Sequence, residues 1–202
     1  MELFDSDLRS LLAHSAHSQS TATIICQIAL ALKYLHRDAG VVHLDVSARN
    51  VLWQALANRA VLADYSLATI FPAQKKLRGT TCCAPNYRPP ELLSIEGANV
   101  PMALVQPAID LWSFGCVLWE IKASEGLPYA HMMQGADAVT IKSDMNAYKR
   151  DNTSGVWARR LSQAGEWEQA LRSLLSIRRH ERELAKTWVV VQSAKERAAQ
   201  AH

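Results

Sequence analysis

The chain has 202 residues, 49% hydrophobic and 20% charged, with six tryptophans, so wholesale disorder is excluded and one domain with a single sizeable core is expected. The formal net charge is only +3. The positive excess sits at one end: from Lys149 onward there are 11 Lys and Arg against 6 Asp and Glu, leaving residues 1–148 at −2. That mild imbalance argues against electrostatic capture of nucleic acid.

The segment MELFDSDLRS carries acids where a signal peptide needs a basic flank. No apolar run reaches the ~18–20 residues needed to cross a bilayer, so no membrane association is expected. Asp5 or Ser6 is placed to cap a short helix bearing Leu8, Leu11 and Leu12. Ser20 or Thr21 opens a longer helix in which Ile24, Ile28, Leu32 and Leu35 form an apolar stripe, with Gly40 as its left-handed terminator. Val41-Val42, Val51-Leu52-Trp53 and Val61-Leu62-Ala63 read as short strands bracketing loops. Residues 72–107 hold six of the seven prolines and are expected to be mostly irregular. After Pro107 the run IDLWSFGCVLWEI is apolar on nearly every side, which predicts a buried central helix. Residues 124–165 are weakly patterned. A last helical region is expected over 166–198, with Trp167, Leu171, Leu174 and Leu175 on one face and then Leu184, Trp188 and Val191. The four cysteines, Cys26, Cys82, Cys83 and Cys116, show no disulfide or metal-ligand spacing, which fits a reducing, intracellular, cytoplasmic setting.

The chemistry-bearing stretch is His43-Leu44-Asp45-Val46-Ser47-Ala48-Arg49-Asn50, followed by Asp64-Tyr65-Ser66. Two carboxylates and an amide stand on loops beside short strands. Bare charge in such a place needs a cation, a hydrogen-bond network or a task. Oxygen ligands of this kind suit Mg²⁺, which takes one or two protein carboxylates plus substrate phosphates.

These motifs resemble the protein kinase family. His43-Leu44-Asp45 with Asn50 is similar to H-R-D-x-x-x-x-N, and Asp64-Tyr65-Ser66 to D-F-G. Pro89-Pro90-Glu91 is similar to A-P-E, Asp110-Leu111-Trp112-Ser113-Phe114-Gly115 to the D-x-W-S-x-G central helix, and Leu174-Leu175-Ser176 through Arg182 to a late segment ending in arginine. The resemblance implies a mainly α (α+β) fold, the kinase-like C-lobe, helical with short β-strands around the catalytic loop. It also implies a phosphotransferase using ATP and Mg²⁺. Asp45 would orient the acceptor hydroxyl and take its proton, with Arg49 beside it. Asn50 and Asp64 would hold the metal. Leu52 would lie under the adenine, and Glu2 and Phe4 are similar to the hinge that the nucleotide touches. Glu91 and Arg182 are expected to pair, and Asp110 to tie down the catalytic-loop backbone.

No glycine-rich loop G-x-G-x-x-G and no V-A-I-K-like lysine appears in these residues, so residues 1–202 are expected to be a partial kinase domain, the C-lobe without its N-lobe. Two readings follow: a kinase homologue impaired on its own, or a catalytically inactive, pseudokinase-type scaffold for a partner protein. A lone lobe is expected to associate through its exposed lobe interface. Arg49 resembles tyrosine kinases, whereas Tyr87-Arg88-Pro89-Pro90-Glu91 looks more like serine/threonine kinases, so the acceptor stays open. Leu44 stands in place of the arginine that pairs with a phosphorylated activation segment, and phosphorylation of Thr80 or Thr81 is not expected to switch the protein on. Tyr65 brings a hydroxyl that needs a partner if buried. Cys82-Cys83 reads as incidental, and Arg178 to Arg182 as a solvated helix start.

Overall fold

The computed structural model describes residues 4–14, 18–72, 77–78, 82–93, 99–123 and 161–200. Six helices and seven strands lie among them. The expected short helix forms as α1 (Leu8–His14), but its cap is Asp7, whose carboxylate accepts the Ser10 amide at 2.8 Å. Asp5 is occupied elsewhere, accepting the Ala55 amide at 2.6 Å. The longer helix α2 (Ser18–Arg37) starts two residues before Ser20. Its stripe Ile24, Ile28, Leu32 and Leu35 is buried, and Gly40 follows it at φ +62°, a conformation that costs glycine nothing.

The predicted strands appear as β2 (Val41–Val42), β3 (Val51–Gln54) and β4 (Arg59–Leu62). Strand β1 (Ser6–Asp7) joins β3 and β4 in an antiparallel sheet of order β1-β3-β4. The β3–β4 turn carries Asn58 at φ +46°, and Gln27 of α2 donates to the Asn58 carbonyl at 3.0 Å. Strand β5 (Thr69–Ile70) returns to pair with β2, and β6 (Leu77–Arg78) pairs with β7 (Asn99–Val100). Between them lies α3 (Pro90–Leu93). The described residues of the proline-rich stretch otherwise hold only strands of two residues and two 3₁₀ turns, Pro85–Tyr87 and Met102–Leu104.

Helix α4 (Pro107–Ala123) is the central post: every residue from Ile109 to Trp119 is buried. It packs on α2 and on α5 (Glu168–Leu174), while α6 (Ala185–Gln200) packs on α2 and α5. The expected single helical region over 166–198 is therefore two helices. They are separated because Ser173, Ser176 and Arg182 turn inward and bond the connecting backbone: the Ser173 hydroxyl donates to the Glu181 carbonyl at 3.1 Å, and Arg182 Nε to the Ser176 carbonyl at 2.8 Å. Arg179–Glu181 is a 3₁₀ turn, so this basic stretch is a connection and not a helix start.

Gly115 marks the closest approach of α4 to α5. A Cβ there would lie 2.8 Å from Leu175 Cδ2 and 2.9 Å from Leu174 Cβ. Gly115→Ala is expected to cost about 1–3 kcal/mol by overpacking, read as a lower urea midpoint with an unchanged slope.

Candidate active site

Strand register assembles the site. β3 begins immediately after Asn50 and β4 ends two residues before Asp64, with Val51 opposite Leu62. The ladder runs one step further, the Ala63 amide donating to the Asn50 carbonyl at 2.7 Å. Pairing of Val41–Val42 with Ile70–Thr69 closes the other side, so the loop leaving β2 and the loop entering β5 face one another.

Within the first loop, Asn50 Nδ2 donates to both the backbone oxygen and Oδ2 of Asp45, each at 2.8 Å. Asp45 Oδ1 accepts the Ala84 amide at 3.1 Å. The half-buried Asp45 is thus held from two sides, and the committed Asn50 amide leaves its carbonyl oxygen as an acceptor. Asp64 is exposed at φ +60°. Its carboxylate accepts hydrogen bonds from the Ser66 hydroxyl and the Ser66 amide, the latter at 3.2 Å, and these hold its pKa below the usual carboxylate range. An ionised carboxylate and an amide oxygen fit a hard cation that retains most of its ligands from water and phosphate. Among the described residues no group of three or more His, Cys, Asp or Glu converges as a metal cluster.

Arg49 is exposed in the turn before Asn50. Leu52 is half-buried on β3, on the face opposite the buried Val51 and Trp53. Phe4 is half-buried with the Arg59 guanidinium 5.9 Å from its ring. Glu2, Thr80 and Thr81 lie outside the described residues.

The loop hangs from α4. Asp110, fully buried, accepts the His43 amide at 2.7 Å and the Leu44 amide at 2.8 Å, and its Oδ2 is 2.8 Å from His36 Nε2. Leu44 adopts φ +66°, a left-handed conformation that is costly for a branched residue. The Asp110 bonds and the apolar cluster around Leu44 hold it there. That cluster contains Cys82, Cys83, Leu92, Val105 and Ile109, and the Cys83 amide donates to the Leu44 carbonyl at 2.8 Å. The cysteine pair is thus core packing for the segment after Asp64, and burial pushes the Cys83 thiol well up.

His43 is also fully buried. Its Nδ1 accepts the Asp45 amide at 3.2 Å, so Nε2 donates to the Ala63 carbonyl at 3.1 Å. Burial lowers its proton affinity from the ordinary 6.5. A histidine that stays neutral in the folded chain contributes stability above pH 6.5, and loses it as pH falls because the unfolded chain binds the proton. Wild type is therefore expected to lose more stability between pH 7 and pH 5 than His43→Asn does, measured by urea unfolding at each pH. Equal slopes would contradict this assignment. Tyr65 packs its ring 4.7 Å from that of His43 and is 47% exposed, so it is not a buried side chain.

Two anchors carry no sequence signal of their own. Tyr87 donates its hydroxyl to Glu120 at 2.7 Å and accepts the Ala48 amide at 3.4 Å, which pins the catalytic loop to α4. Burial raises the pKa of both Tyr87 and Glu120, so each holds its proton more tightly than it would in water. His36, the other anchor, sits in the last turn of α2 among ordinary surface residues.

The protein kinase domain profile matches residues 1–190. Over 106 residues the chain is 32% identical to the serine/threonine-protein kinase dkf-1 of Caenorhabditis elegans, covering 51% of this chain and 13% of that protein. Over 132 residues it is 32% identical to the tyrosine-protein kinase Drl of Drosophila melanogaster, covering 62% and 20%. It is 33% identical over 132 residues to cyclin-dependent kinase 11 of Dictyostelium discoideum, covering 63% and 34%. The chain thus spans between about an eighth and a third of the length of these relatives. With the catalytic-loop, metal-loop and central-helix motifs in register along a profile that takes in nearly all of it, the chain belongs to the protein kinase family.

Proposed function

We propose that this chain is the catalytic-loop lobe of an ATP-dependent protein phosphotransferase, weak or inactive by itself. The observation that carries the reading is the clasp of Asn50 on Asp45, both oxygens of the loop aspartate's side chain being fixed by hydrogen bonds. Phosphoryl transfer needs positioning and charge stabilisation more than covalent chemistry. Asp45 accepts the proton of the acceptor hydroxyl and aims its oxygen, while Asn50 keeps that carboxylate oriented. Asn50 and Asp64 would hold Mg²⁺, which when bound offsets the phosphate charge. Arg49 would stand beside the acceptor, and Leu52 and Phe4 would belong to the adenine side. The names of the relatives include both serine/threonine and tyrosine kinases, and the acceptor is a protein hydroxyl of either kind. Among the described residues no helix is long and apolar enough to cross a membrane, and the proposed setting is the cytoplasm, with a protein as substrate or partner.

No G-x-G-x-x-G sequence of the kind that covers phosphates occurs in these 202 residues. The purified chain is therefore expected to show little thermal shift with ATP and Mg²⁺, where a ligand at 100 times its dissociation constant would add about 2.7 kcal/mol. Label transfer from ATP to a generic protein substrate is expected at background. Adding a separately expressed small lobe of a relative is expected to raise transfer in wild type and not in Asp45→Asn. Mg²⁺-dependent transfer by the isolated chain, absent in Asp45→Asn, would show that the lobe is active alone. Transfer unaffected by Asp45→Asn under either condition would sink the phosphotransferase reading. The scaffold reading is favoured by the apolar packing of Leu44 against Cys82 and Cys83, which would keep a docking shape constant there. A Thr80→Glu, Thr81→Glu variant is expected to match wild type in transfer and in thermal stability.

A further inference from the structure

Helices α2, α4 and α6 and the connection that precedes α6 line a half-open pocket of about 380 Å³ that includes no residue of the catalytic loop or of the Asp64 loop. Lys33, His36 and Arg37 line it from α2, with Leu111, Leu184 and Trp188 forming apolar wall. Its size falls within the range of small-molecule sites. The charge on its rim is uneven. Lys33 and Arg37 are exposed one turn apart on α2, and neither makes an ion pair among the described residues. Lys33 Nζ stands 6.0 Å from the Trp188 ring centroid. Arg182 also lines the cavity, but its charge is already matched by Glu91. Glu183 is the single acid. Two unneutralised cations over an aromatic and aliphatic wall select a ligand with a flat apolar body and one anionic group.

His36 connects this cavity to the catalytic loop. Its ring is 9% exposed and lies 2.8 Å from the Asp110 carboxylate, and that same carboxylate holds the amides of His43 and Leu44. A group settling against His36 therefore touches a hydrogen-bond chain that ends one residue before Asp45. We propose that the cavity binds a small aromatic acid, a carboxylate or phosphate on a ring system, and that occupancy is transmitted through His36 and Asp110 to the catalytic loop.

The test is a nuclear magnetic resonance titration of the whole ¹⁵N-labelled chain with 2-naphthoate and, separately, 2-naphthyl phosphate, which distinguishes the two acid types. Saturable shifts of the Trp188 indole and of the His43 and Leu44 amides are expected, with a dissociation constant below about 1 mM for at least one of them. Neutral 2-naphthol is expected to bind at least about tenfold more weakly. Lys33→Glu with Arg37→Glu is expected to weaken acid binding by about tenfold or more, and Lys33→Gln with Arg37→Gln provides the same comparison without charge reversal. No saturation by about 5 mM, equal affinity for 2-naphthol, or unchanged affinity in both double variants would overturn the site. Shifts at Trp188 without shifts at His43 and Leu44 would overturn the link to the loop.

Discussion

Replacing Asp110 by alanine is expected to cost about 3–5 kcal/mol of stability, and to disorder the catalytic loop before the rest of the chain unfolds. The carboxylate receives two backbone N–H groups and the His36 ring, all within 2.8 Å, from a position with no exposure. Alanine would leave the His43 and Leu44 amides unpaired in a dry core, and each such loss costs the full desolvation of the group. It would also release the bonds that keep Leu44 left-handed. Asp110→Asn keeps one acceptor oxygen but turns an amide NH₂ toward a second donor, so a cost of about 2–3 kcal/mol is expected. Urea unfolding gives the totals. Amide hydrogen exchange at residues 43–46 separates local release from global loss, since local opening lowers protection there alone. A cost below about 1 kcal/mol for Asp110→Ala would mean that the loop is held from elsewhere.

Arg182→Met is the second large effect, with an expected cost of about 3–5 kcal/mol. The guanidinium spans α3 and the connection between α5 and α6. It pairs with both Glu91 oxygens at 2.7 and 2.8 Å, and donates to the carbonyls of Ala108 at 3.0 Å and Ser176 at 2.8 Å. It also lies 4.9 Å from the Trp112 ring centroid. Methionine fills similar volume but leaves a nearly buried carboxylate without its cation and takes a donor from each of two carbonyls. Glu91→Gln is expected to cost less, about 1–2 kcal/mol, because the arginine keeps its carbonyl acceptors and gains a neutral one. The asymmetry between the two variants, read from denaturation midpoints, is the discriminating result. Equal costs would mean that the ion pair alone, and not the carbonyl network, sets the energy.

Much of this was legible in the chain itself. The α2 stripe, the Gly40 terminator, the short strands at 41, 51 and 61, and the all-round apolar α4 are local patterns, written at spacings of two to four residues. The pairing of Glu91 with Arg182 and the tie from Asp110 were legible because the family resemblance supplied the long-range partners. Where that support failed, so did the reading. Asp7 displaced Asp5 and Ser6 as the α1 cap because Asp5 is drawn to the Ala55 amide across the sheet. The helix expected over 166–198 is broken by Arg182, whose partner lies 91 residues away.

By itself the sequence determined the family, the order of the motifs, the identity of the oxygen-bearing residues and which helix must be buried. Tertiary structure alone decided that Leu44 is left-handed, that His36 and Tyr87 support the catalytic loop, and that a basic-rimmed cavity lies between α2, α4 and α6. The physical reason is reach. Periodicity and turn chemistry act between near neighbours, whereas the groups that bond this loop directly come from residues 39 to 67 positions distant, and no local pattern records which of many polar side chains will meet once the core has closed.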